Sequence, residues 1–181
     1  GRGLICLSLT VKQAKRLNLS LMSPINKSRN QTAFTVSIEA KTGVTTGISA
    51  KDRFITIKTA IKNNVKKNDI VSPGHVFPII SKEGGVLVRA GHTEASVDIS
   101  RLSNSNPSAV ICEIMNDQGI MTKGNELFLF AKKHKLKIAK IEDLIAHRLK
   151  NEKLIKLKKS DNILIKKENY KISIFENLLD G

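Results

Sequence analysis

The chain has no tryptophan, one tyrosine and an aromatic content of only 4%. Few stacking platforms are therefore available for unpaired bases. This matters because 31 Lys+Arg against 16 Asp+Glu give a net charge of +15, which by itself suggests a polyanionic partner. The charge is not gathered in one place. Residues 1–131 carry 17 basic against 9 acidic side chains, and residues 132–181 carry 14 against 7. Lysine outnumbers arginine 24 to 7, so bidentate phosphate-reading forks are also scarce. A solvated lysine surface is expected, and nucleic acid is not the expected partner. Cysteine is limited to Cys6 and Cys112, far apart in sequence, which fits a reducing, cytoplasmic setting better than a disulfide framework. No apolar run approaches the roughly 18 residues of a membrane span, and the opening Gly-Arg-Gly-Leu-Ile-Cys-Leu has no signal-peptide pattern. The chain starts without Met and stops at Leu-Leu-Asp-Gly, as expected of a fragment at both ends.

A 40% hydrophobic content over 181 residues is enough for one domain with a core, plus a short appendage. Strands are expected at Leu4–Leu9, Ala33–Ala40, Val76–Ile80, Gly85–Arg89 and Ala109–Met115, with a strand-like stretch at Lys171–Phe175. Helices are expected at Val11–Leu17, from Ser49 (capped by a Ser49/Asp52 box) to Asn64, from Thr93 to Leu102, at Asn125–His134 and at Ile141–Leu149. Asn26–Gln31 and Ser72–His75 read as loops. Strands alternating with helices imply a layered sheet. After Lys150 the composition becomes lysine-rich, marking a linker or the start of a second domain.

Arg89-Ala90-Gly91-His92-Thr93 stands between an apolar run and a helical pattern. The first turn of a helix has unpaired N–H groups and the positive end of the dipole, which suits a phosphate. Arg89 would add a charged fork, Gly91 close backbone approach, and Thr93 an N-cap. Glu113 lies in the apolar Val-Ile-Cys-Glu-Ile-Met, where a buried carboxylate would be driven toward acid–base use and an edge-strand carboxylate would simply face water. His75 is held in Pro-Gly-His-Val-Phe-Pro, Asp117 is a possible helper in the turn after Glu113, and Cys6 reads first as a small core residue. The Gly43–Gly47 turn is a weak phosphate-loop signal without a Walker-type lysine.

Five ordered segments, Thr32–Ser37, Gly43–Ser49, Pro73–Pro78, Arg89–Ala95 and Ile111–Asp117, together closely resemble the 3,4-dihydroxy-2-butanone 4-phosphate synthases of riboflavin biosynthesis, over roughly residues 1–150. The resemblance implies an α+β fold, a three-layer mixed β-sheet flanked by helices. It also implies a homodimer with sites near the subunit interface, and a lyase that turns ribulose 5-phosphate into the butanone phosphate and formate with Mg²⁺ or Mn²⁺. By resemblance His92 is a metal ligand, Arg89, Ala90, Gly91, His92 and Thr93 bind substrate, Glu113 is an essential substrate-contacting carboxylate, His75 is an essential histidine, and Cys6 lies near the substrate. The family's acidic motif, the source of the other metal ligand, is expected upstream of Gly1, and Gln118 stands where an acidic residue is commoner. Residues 147–154 and 175–181 look like the junction into a GTP cyclohydrolase II-type domain, which divides the chain into 1–150 and 151–181. The alternative is a member of the fold without its chemistry, acting as a basic RNA- or protein-binding module.

Overall fold

A computed structural model describes residues 2–27 and 30–179. Gly1, Asp180, Gly181, and Ser28 and Arg29 of the expected loop lie outside the described residues. The elements run β1 (Cys6–Leu9), α1 (Val11–Arg16), β2 (Ile38–Ala40), α2 (Ala50–Ala60), β3 (Ile70–Ile80), α3 (His92–Leu102), β4 (Ser108–Ile111), α4 (Asn125–His134), α5 (Ile141–Asn151), β5 (Ile155–Ile165) and β6 (Glu168–Asn177).

The central sheet has the order β2-β3-β1-β4. β1 runs parallel to β3, with Cys6 opposite Phe77 and Leu9 opposite Ile80, and antiparallel to β4, with Cys6 opposite Ile111. This is the mixed sheet with flanking helices that the resemblance implied. Alternation in β1 sends Leu7 and Leu9 into a core shared with Leu17, Ile38, Ala60, Val65 and Val76, against which Ile57 and Ile61 pack. The Ser49 hydroxyl accepts from the Asp52 N–H and opens α2, as the capping pattern indicated. Phe54 on α2 is 60% exposed.

Three expectations on elements need correction. The apolar Gly-Val-Leu-Val run is not a strand: residues 85–87 form a 3₁₀ turn, because Gly84 and Gly85 both take positive φ and the buried Asp98 carboxylate accepts the Val86 N–H. Ser72–His75 is not a free loop but part of β3, accommodated by a register shift against β2 between Ile38 and Glu39. Thr93 is buried within α3 and does not cap it; Gly91 is the N-cap, its carbonyl accepting from the Ala95 N–H at 2.9 Å. The tail forms a long hairpin, β5 with β6, where only Lys171–Phe175 was expected as a strand. Its turn residues Lys166 and Lys167 both take positive φ, which Asn-Gly would adopt with less strain.

α5 is fastened to the sheet domain by Arg148, which is only 3% exposed. Its guanidinium donates to Asp98 Oδ2 at 2.7 Å, to the Gly84 carbonyl at 2.7 Å, and to both carboxylate oxygens of Glu152 at 2.9 and 2.7 Å. Hydrogen bonds from Arg148 hold Glu152 below the usual carboxylate range against the opposing effect of burial. A cavity of about 420 Å³ beside this network is lined by Thr10, Gly84, Arg101, Arg148, Glu152 and Leu178, among others.

Candidate active site

Arg89 is half-buried at the entry to α3. One guanidinium nitrogen donates to Glu94 Oε2 at 2.6 Å and the other to the Asn30 carbonyl at 3.0 Å. Glu94 is 1% exposed, and its second oxygen accepts the Lys82 N–H at 3.0 Å. An acidic residue in the first helical turn also sits well with the dipole. Glu94 is thus the anchor of the junction, and sequence reading gave it no role; its signal was an acidic residue three positions after the N-cap. Gly91 has an ordinary negative φ. What it supplies is space, since a Cβ there would stand 2.3 Å from Arg89 Nη1 and 2.6 Å from Glu94 Oε2. Gly91→Ala should therefore displace the Arg89–Glu94 pair and raise the KM for a phosphorylated substrate severalfold. A KM unchanged in steady-state kinetics would show that the pair does not shape the binding site. Ala90 and His92 are exposed on either side of Gly91.

Glu113 follows β4 at the opposite end of the sheet. It is exposed and not buried, so burial supplies no argument for its role. Its Oε2 accepts the Leu4 N–H at 2.9 Å, and it lies so close to Gly3 that a Cβ there would meet the carboxylate. Arg2 extends the same clasp, donating to the Asn116 carbonyl at 2.8 Å and pairing with Asp117. Cys6, one layer inward on β1, is buried, and burial reinforced by Glu113 and Cys112 pushes its thiol up to about 11. A buried thiol held protonated fits the reading of Cys6 as a small core residue.

His75 precedes the paired Phe77 by two residues, just as Glu113 follows the paired Ile111 by two. Both therefore stand where β1 begins, about two strand spacings or roughly 10 Å apart. The His75 ring is 43% exposed and its Nδ1 lies 3.0 Å from Glu39 Oε2. The Gly43–Gly47 turn is closed from within. Asp52, buried at the start of α2, accepts from the Thr45 hydroxyl at 2.8 Å and the Gly47 N–H at 3.0 Å, closing the turn. The Thr45 hydrogen bond holds Asp52 below its usual range, with burial opposing it.

The expected site residues are thus brought together in two groups, not one. Ile80, the last residue of β3, lies five residues beyond His75, roughly 16 Å along the strand, and Lys82, to which Glu94 is bonded, follows it. Among the described residues, His75 is bonded to Glu39, Glu113 to the Leu4 N–H, and Arg89 to Glu94 and the Asn30 carbonyl, so neither His75 nor Glu113 is tied to the Arg89 junction. No cluster of three His, Cys, Asp or Glu capable of holding a metal occurs among the described residues either. His92 by itself does not make a magnesium site, because that ion prefers several oxygen ligands.

The family model for 3,4-dihydroxy-2-butanone 4-phosphate synthase matches residues 1–147. The chain belongs to the 3,4-dihydroxy-2-butanone 4-phosphate synthase family. It is 51% identical over 183 residues to the riboflavin biosynthesis protein RibBA of Aquifex aeolicus (strain VF5), covering 100% of this chain and 45% of that protein. It is 52% identical over 154 residues to the synthase of Neisseria meningitidis serogroup A, covering 85% of this chain and 42% of the relative. The chain therefore spans less than half the length of either. Among solved structures, RibBX, a two-domain synthase from A. baumannii, superposes with a TM-score of 0.88 at 40% identity, covering 99% of this chain and 53% of that one. A synthase in complex with two magnesium ions superposes at 0.77 with 38% identity, covering 83% and 75%. The synthase fold thus extends through the sheet and α5, and the likeness to RibBX reaches into the hairpin.

Proposed function

We propose that the protein converts ribulose 5-phosphate into 3,4-dihydroxy-2-butanone 4-phosphate and formate, the step its family performs in riboflavin biosynthesis. The observation that carries this reading is the synthase match over residues 1–147 on a chain that presents His75, His92 and Glu113 at its surface. Arg89 and the first turn of α3 bind the substrate phosphate, with Ala90 to Thr93 lining it. Glu113 and His75 exchange protons with the sugar carbons and hydroxyls as the skeleton rearranges. Magnesium, present in the magnesium-bound relative, or manganese would polarise the sugar oxygens. His92 would give one nitrogen ligand, and oxygen ligands would have to complete the set.

The two-group arrangement supports a homodimer in which the Arg89–Thr93 junction of one subunit faces His75 of the other. Exposed Leu21, Met22 and Ile25, and Phe128 and Leu129 on α4, offer apolar surface for such an interface. Residues 151–181 are proposed as the linker and opening of a GTP cyclohydrolase II-like domain, a reading supported by full coverage of this chain by RibBA. No helix among the described residues is long and apolar enough to cross a membrane; a cytoplasmic location is proposed on the strength of the biosynthetic family and the free cysteines.

The test is formate release from ribulose 5-phosphate with Mg²⁺ by the full-length protein, beside the same protein carrying His92→Ala. Release that the substitution abolishes supports the synthase reading. A folded wild-type protein that releases none returns the basic binding module to consideration.

A further inference from the structure

Glu39 sits on β2 with its side chain only 13% exposed, and a carboxylate taken out of water needs a partner. The partner the structure gives it is the His75 ring, 3.0 Å away at Nδ1. Its other oxygen, Oε1, is buried without a hydrogen-bond partner among the described residues. That oxygen lies against Gly47, where an added Cβ would fall 1.3 Å from it. Gly47 takes φ +85°, a conformation that favours glycine, and its N–H is tied to Asp52. The turn closed by Asp52 therefore leaves a space that the Glu39 carboxylate occupies.

The chemistry of this contact has one sense. An ionised carboxylate only accepts, so the ring nitrogen facing it must carry the proton. With Nδ1–H committed to Glu39, the neutral imidazole keeps Nε2 bare on its exposed side. When Nε2 takes up a proton, the carboxylate stabilises the imidazolium. We propose that Glu39 is the positioning residue for His75, fixing the Nδ1–H tautomer so that Nε2 serves as the proton acceptor, and that Gly47 is a glycine because a side chain there would expel the Glu39 carboxylate. The catalytic half of this inference rests on the synthase reading; the tautomer half stands without it.

The test uses the full-length protein with Glu39→Gln, Glu39→Ala and Gly47→Ala, each checked for cooperative thermal unfolding. The chain has four histidines, so a His75→Gln spectrum assigns the His75 ring nitrogens by ¹⁵N NMR. Wild type should show Nδ1 protonated and Nε2 bare at a pH where the ring is neutral. All three variants should lose that pattern, Glu39→Gln because its amide can donate to Nδ1. Turnover should fall on the order of 100-fold or more, with KM changed less than about threefold as befits a group that touches no substrate. An unchanged tautomer in Glu39→Ala and Glu39→Gln, or a loss confined to KM, overturns the proposal. Should wild type release no formate, the synthase reading fails, and the NMR comparison still decides whether Glu39 sets the tautomer.

Discussion

Glu113→Gln should lower turnover by two to four orders of magnitude, about the contribution of a positioned acid–base group, while leaving KM nearly unchanged. Glutamine keeps the shape and can still accept the Leu4 N–H through its amide oxygen, so the clasp between residues 2–4 and 113–117 should survive. Only the capacity to take and return a proton is lost. Arg89→Ala should behave differently, raising KM by roughly ten- to a hundredfold, the value of one charged hydrogen-bonding contact. It carries a second cost that sequence alone could not show. Removing the guanidinium leaves Glu94, 1% exposed, with the Lys82 N–H as its remaining bond, so the melting temperature should fall as well. Steady-state kinetics together with thermal unfolding separate the two effects. Equal losses of kcat and KM in both variants would contradict this division of roles.

The largest effect on stability is expected at Arg148. Truncation to alanine leaves the buried carboxylate of Asp98 with only the Val86 N–H and the looser Arg101 pair at 3.6 Å, removes the donor to the Gly84 carbonyl, and leaves Glu152 held by Arg101 alone. Breaking a buried ion pair from one side typically costs about 3–5 kcal/mol, which for a chain of this size lowers the melting temperature by roughly 10 °C. Replacing Arg148 and Asp98 together with apolar residues should recover much of that loss, because no unpaired charge remains. A single variant that melts within about 2 °C of wild type would show that the network contributes little to fastening α5.

Much of this architecture was legible because local signals agreed with the fold. Thr10 before Val11 and Ser49 before Ala50 cap α1 and α2 with their own side chains, and both helices fall where the sequence placed them. The departures have different physical causes. Val86 reads as part of a buried strand until Asp98, twelve residues on, accepts its N–H and favours a 3₁₀ turn. Thr93 reads as a cap, yet its burial moves that role to Gly91. β5 was missed because Ile-Lys-Leu-Lys-Lys-Ser-Asp-Asn lacks clean alternation and both its faces remain largely exposed. In the candidate site, the residue types at 75, 89–93 and 113 were readable from motif order. Their separation into two groups was not, since it follows from strand register, and neither were Glu94 and Glu39, whose roles exist only through Arg89 and His75.

The central claim, a synthase site assembled across two subunits, is tested most directly by mixing two inactive full-length variants, His75→Ala and His92→Ala, after unfolding and refolding them together, and measuring formate from ribulose 5-phosphate. Each variant alone should be inactive. Random pairing makes about half the dimers mixed, and one of the two sites in a mixed dimer is intact, so about a quarter of wild-type activity should return. A mixture that stays inactive although both variants refold and exchange subunits would contradict a site that draws His75 and His92 from different chains.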